Sequence, residues 1–134
     1  MPAPVSLSLR TARRVQTLDI TRQVREAISG SGIRDGICVV FVPHTTAGVT
    51  LNENADPDVS SDSEAALSRL VPSDAGYRHA EGNSDSHIKA SLVGSSVTLI
   101  VRGGAPLLGT WQGVHLCEFD GPRSRTVYVK CLEG

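Results

Sequence analysis

The stretch FVPHTTAGVTLNENADPD, residues 41–58, is interrupted twice. A dense apolar run, GICVVFV at 36–42, stops at Pro43 and His44. An alternating segment follows and stops in turn among asparagines and aspartates. The first run is β-branched and continuous, which predicts a strand covered on both faces. Pro43 then denies a sheet ladder its N–H donor and ends the strand. In the second segment Val49, Leu51 and Glu53 fall on one face and Thr50, Asn52 and Asn54 on the other, so one face is wholly polar. Asp56 before Pro57 starts a helix, because an acceptor side chain caps orphan N–H groups and proline fits the first helical position.

Working outward, Val59, Ala66, Leu67 and Leu70 give that helix an apolar stripe, and Pro72 follows its end. Toward the N-terminus, residues 4–9 and 13–19 alternate apolar and polar, which predicts two half-exposed strands of a hairpin joined near Arg10 to Ala12. Ile20, Val24, Ala27 and Ile28 then repeat at helical spacing, with Asp19 as cap and Gly30 and Gly32 as stops. A third helix is expected from about Asp85 to Val93, with Ile88 and Leu92 one turn apart as its apolar face and Gly94 at its end. The last third is strand-rich, with Val97, Leu99 and Val101, then Val114, Leu116 and Glu118, then Arg125, Val127, Val129 and Cys131 each sharing a face. The expected fold is α+β: a single compact domain over residues 1–134, with a mostly antiparallel sheet and about three helices.

Composition limits the function. The chain has 134 residues, 40% of them apolar and 20% charged, enough for one ordinary core. Net charge is −1, with no run of one sign, which argues against a general nucleic-acid binder. The N-terminal MPAPVSLSLRTARR has no charged head before an apolar run of signal length, and no run of about 18 apolar residues occurs. No membrane association and a cytoplasmic location are therefore expected. Cys38, Cys117 and Cys131 lie in apolar runs without a CxxC pair and read as reduced core thiols.

The polar candidates sit at element ends, where loops carry function on a rigid scaffold. His44 follows the apolar strand, His79 lies in a loop, and His87 falls in the first turn of the third helix. Three convergent imidazoles would suit Zn²⁺ or a similar ion. Their spacing does not itself bring them together and favours separate surface or hydrogen-bonded histidines, and His115, alternating with Cys117 and Phe119, reads as part of the sheet. Glu118 shares a face with Val114 and Leu116, and a buried carboxylate needs donors or a cation. Arg125 is the economical partner, and such a pair also marks many active sites. Glu81, Gly82 and Asn83 precede the third helix, whose free N–H groups would attract a phosphate or carboxylate. Trp111, between Gly109 and Gly113, would either seal a core edge or stack on a ligand.

HTTAGVTLNENADPD, HAEGNSDSHIKASLVGSSVTL and LGTWQGVHLCEFDGPRSR, taken together, resemble the YjbQ family, also called the secondary thiamine-phosphate synthase family. The resemblance covers about residue 10 to the C-terminus. It implies a compact α+β protein that assembles as a homotrimer and has weak thiamine-phosphate synthase activity, joining a pyrimidine diphosphate to a thiazole phosphate. By the same route His44, His79 and His87 would hold a divalent metal (Zn, Mn or Mg) or a phosphate, and the partner would be a phosphorylated small molecule. Thr45, Asn54, Asn83, Trp111 and Gln112 would bind substrate, and Glu81, Asp56, Glu118 and Arg125 would serve the chemistry. The resemblance also marks Asn52, Glu53, Gly109 and Thr110. A metal-dependent hydrolase of a phosphorylated metabolite, with Glu81 or Asp56 as base, and a non-catalytic metabolite-binding trimer are the alternatives.

Overall fold

Eight strands and three helices form two antiparallel sheets in a computed structural model that describes residues 3–134. The first two positions of the expected 1–134 domain lie outside the described residues. In chain order the elements are β1 (Val5–Arg10), β2 (Gln16–Asp19), α1 (Thr21–Ser31), β3 (Gly36–Phe41), β4 (Ala47–Glu53), α2 (Pro57–Leu70), α3 (Ser84–Val93), β5 (Ser96–Arg102), β6 (Ala105–Pro106), β7 (Gln112–Glu118) and β8 (Ser124–Glu133). One sheet runs β1-β8-β3-β5-β6 and the other β2-β7-β4. The expected single α+β domain is what forms.

The core lies between the sheets. Val40 and Val42, Val127 and Val129, and Leu99 and Val101 face it from the larger sheet, Val49, Val114 and Leu116 from the smaller one, and α1 closes it with Ile20, Val24 and Ile28. These are the apolar rows read from the strand alternation and the helical period. Asp19 Oδ1 accepts from the backbone N–H of Thr21 at 2.9 Å, so it ties down the helix start as a cap would, and Gly32 ends α1 in the left-handed conformation.

The first two strands are not a hairpin. β1 pairs with β8 and β2 with β7, so residues 11–15 carry the chain from one sheet to the other. Alternation reports a half-buried strand but not its partner. β3 is not covered on both faces either: Cys38 and Val40 face the core, whereas Ile37 and Phe41 stay about 40% exposed on the outer face. The two-residue β6 at the sheet edge gave no sequence signal of its own.

The remaining helices lie on the outer face of β2-β7-β4, over a small cluster of Ala90, Cys117 and Phe119. α2 begins as read, with Asp56 Oδ1 accepting from the Asp58 N–H at 2.9 Å and Pro57 at the first turn. Its stripe is only half-buried, and Leu70 is exposed. α3 inverts its expected orientation. Ile88 and Leu92 face outward, and the helix buries Asp85, Ser86, Lys89 and Ala90. Ion pairing decides this: Asp85, fully buried, receives two hydrogen bonds from Arg14 at 3.0 and 3.1 Å and one from Lys89 Nζ at 3.0 Å. Ser86 Oγ also donates to the Phe119 carbonyl.

Removing one member of this triad leaves a buried charge without its partner. Asp85→Ala is expected to cost about 3–5 kcal/mol in urea unfolding at neutral pH, and Asp85→Leu with Lys89→Met to recover most of it.

Candidate functional site

β7 and β8 are consecutive strands in different sheets, and the residues between them cross the molecule's waist. Glu118 ends β7 with no exposure, and Arg125 enters β8 at 5%. Glu118 Oε1 accepts from Thr11 Oγ1 and from Arg125 Nε, both at 2.8 Å. Oε2 accepts from the N–H groups of Phe119 at 3.1 Å and Asp120 at 3.0 Å, and from Arg125 Nη2. Burial opposes ionisation of this carboxyl, but Arg125, the Asp120 N–H and Thr11 outweigh it and hold the carboxyl below its ordinary range.

Arg125 Nη2 also donates to Thr46 Oγ1 at 2.8 Å and to its carbonyl at 3.3 Å, which fixes the loop after Pro43. His44 in that loop accepts the Thr126 N–H on Nε2 at 2.9 Å. Burial, and then the charge of Arg125, push its pKa below that of an ordinary histidine. The ring is therefore neutral at pH 7, with Nε2 occupied and its proton on Nδ1.

Facing this loop is the N-terminus of α3. His44, Thr45, Glu81, Asn83, His87 and Arg125 line one open cleft of about 340 Å³, together with Asp120 and Arg123. Asn83 Nδ2 donates to Asp120 Oδ2 at 2.9 Å, and Arg123 Nη2 donates to the same oxygen at 2.9 Å. Burial works against the Asp120 carboxylate, but Asn83 and Arg123 lower its pKa overall. Asn83 Oδ1 is buried with no hydrogen-bond partner. The rings of His79 and His87 meet edge to face with centroids 5.3 Å apart, and His79 Nε2 lies 3.8 Å from Glu81.

Six of the expected site residues therefore share the cleft, His79 joins through His87, and Glu118 stands behind Arg125. The other four lie elsewhere. In the β4·β7 ladder Ala47 faces Glu118 at one end and Glu53 faces Gln112 at the other, about 20 Å away at roughly 3.3 Å per residue. Asn54 and Asp56 therefore do not share the rim with His44. At the far end Asn54 donates to Asp19 at 3.2 Å, Gln112 accepts the Gly109 N–H at 2.9 Å, Asp56 caps α2, and Trp111 is 62% exposed. A side chain at Gly113 would meet Asn54 and Thr21 at under 3 Å, which accounts for that glycine by packing. Among the described residues no three histidines, cysteines or carboxylates are grouped to hold a metal. Thr46, Asp120 and Arg123 were not foreseen, although EFDGPRSR places the last two between Glu118 and Arg125.

This arrangement, a two-sheet α+β domain with a histidine-bearing cleft at the sheet junction, has clear relatives. The chain belongs to the UPF0047 protein YjbQ-like family, whose model matches residues 5–134. It is 55% identical to a UPF0047 protein of Methanocaldococcus jannaschii over 92% of this chain and 90% of that one. It is 46% identical to the UPF0047 protein YugU of Bacillus subtilis over 95% and 97%. A crystal structure of an uncharacterized conserved protein of the family from Clostridium acetobutylicum superposes with a TM-score of 0.94 at 52% identity, covering 96% of this chain and 99% of that one.

Glu118, Asp85 and Asp120 all have folded-state pKa values below their unfolded ones. Their stabilisation is fully present above the unfolded carboxylate pKa, near 4, and is lost as pH falls through the folded values. His44, whose folded pKa also lies below its unfolded one, adds a shallow loss as pH falls below about 6.5, so the thermal midpoint is expected to be flat above that, to decline gently down to about pH 5 and to drop steeply below about pH 4. Glu118→Gln should flatten that drop while lowering the neutral-pH midpoint, as read by a pH series of thermal melts.

Proposed function

We propose that the cleft between His44 and α3 binds the phosphate end of a small molecule together with a divalent ion. The reaction we assign to it is a weak thiamine-phosphate synthase activity. Asn83 Oδ1 carries this reading: a buried acceptor without a donor is costly, and a cation or a donor from a ligand would satisfy it. Asp120 and Glu81 line the same cleft, and one or two carboxylates with substrate phosphates suit Mg²⁺ or Mn²⁺. His87 adds a nitrogen that would also accept Zn²⁺.

In this reaction the C–O bond between the pyrimidine methylene and its diphosphate breaks, a C–N bond to the thiazole nitrogen forms, and pyrophosphate leaves. A bound ion would neutralise charge on the departing diphosphate. The chain's own part is positioning. Neutral His44 would offer Nδ1–H to a phosphate oxygen, and the first turn of α3 would add N–H donors and a favourable dipole. Glu118 holds Arg125 and, through Thr46, the His44 loop, so the two act as positioning residues.

The activity is read by thiamine phosphate formed from the two phosphorylated precursors with Mg²⁺ or Mn²⁺. His87→Ala and Asn83→Ala are each expected to lower kcat/KM by about 10–100-fold. Unchanged turnover in both would overturn the assignment. Release of inorganic phosphate from either precursor alone would point to the hydrolase instead.

We also propose the homotrimer, in the cytoplasm. The outer face of the larger sheet supports assembly, since Ile37, Phe41, Ile100 and Tyr128 are 40%, 42%, 59% and 37% exposed there. Ile37 pairs with Ile100 and Phe41 with Tyr128, two apolar cross-strand pairs on one face with Val39 between them on β3. Light scattering should give three times the 14.2 kDa chain mass, and Ile100→Glu should shift it toward one.

A further inference from the structure

The outer face of β2-β7-β4 carries a second cavity, separated from the His44 cleft by α3. Asn83 and His87 at the start of that helix line the cleft, whereas Leu92 and Val93 at its end line the cavity. α2 roofs this space without closing it. The helix has fourteen residues and an apolar stripe, yet none of its residues is buried. Glu64 latches it to the sheet edge, with Oε2 accepting the Thr17 N–H at 3.3 Å and Oε1 lying 3.5 Å from Arg13. Beneath the helix is a groove of about 390 Å³, within the range of small-molecule pockets.

The lining is mostly apolar, from Val15, Leu67, Val93 and Phe119, with a short polar row on the sheet. In that row His115 of the central strand stands opposite Thr50 on β4. Its ring is 96% buried by exposure, at 4%, and Nε2 has no hydrogen-bond partner. A lone unpaired nitrogen in a packed floor is costly, and the fold does not satisfy it.

Charge narrows what would fit. No lysine or arginine lines the groove, so it offers an anion nothing. Its two carboxylates are already engaged, Glu64 as described and Glu118 with Arg125. Cys117 lies on the same floor, and burial pushes its thiol up to about 12, so it offers no thiolate for covalent chemistry.

We propose that this groove is a second ligand site, for an uncharged small molecule with an apolar body and one hydrogen-bonding head that meets His115. The site is independent of the phosphate cleft and takes a different chemical class.

The probe is N-phenyl-1-naphthylamine, an uncharged dye with an apolar body and a single N–H. Its fluorescence on titration should saturate at one dye per chain. Histidine ring ¹⁵N spectra should shift at His115 and not at His44, His79 or His87. Ser63 lines the groove mouth and is exposed, so Ser63→Trp fills the mouth without touching the core and should weaken binding at least roughly 10-fold. His115→Phe keeps the shape, removes the nitrogen and should weaken binding by a similar factor. Non-saturable fluorescence, shifts at the cleft histidines, binding indifferent to both substitutions, or loss of the dye sites as the chain self-associates would each overturn the proposal. The ring spectra of the unsubstituted protein decide the matter even where a variant fails to fold.

Discussion

The buried pair of Glu118 and Arg125 is the constraint on which the rest depends. It sits where the chain leaves the smaller sheet for the larger one, and each Glu118 oxygen is satisfied by donors from a different part of the molecule. Thr11 comes from the crossing after β1, Phe119 and Asp120 from the crossing after β7, and Thr46 is drawn in through Arg125. An ion pair stripped of water is favourable only when its remaining hydrogen-bonding capacity is met, and here the hydroxyls and backbone of three connecting segments meet it. The same bonds that join the sheets therefore set the position of the His44 loop and of Asp120 in the cleft.

Polar burial is a theme of the molecule's second layer. α3 turns Asp85 and Lys89 inward and leaves Ile88 and Leu92 outside, contrary to its apolar period. Arg14 makes this tolerable by adding a second cation to the buried carboxylate, and Ser86 ties the helix to Phe119. With its N-terminus fixed in this way, α3 presents Asn83 and His87 to the cleft. α2 has no comparable anchor beyond Glu64 and the cap at Asp56, and accordingly it roofs a groove rather than sealing a core.

The candidate site was legible in part. The Glu118–Arg125 pair could be read because two charges on otherwise apolar strand faces have few ways to be buried. His44 and His87 could be read as element-end residues, and they share a cleft. Trp111, Gln112, Asn54 and Asp56 were grouped with them by motif, but the length of β4 and β7 keeps them at the opposite end of the sheet. Their hydrogen bonds serve turns and a helix start.

The sequence by itself determined the α+β class, the inward rows of nearly every strand, the starts of α1 and α2, and the pairing of Glu118 with Arg125. These follow from local periodicity and from the cost of burying an unpaired charge, both of which act on residues near in the chain. Only the tertiary structure decided that β1 and β2 part to different sheets, that α3 buries its charged face, and that His115 lies unpaired beneath α2. Each of these depends on a partner more than forty residues away or on a space between elements, and no local pattern encodes a distant neighbour's position.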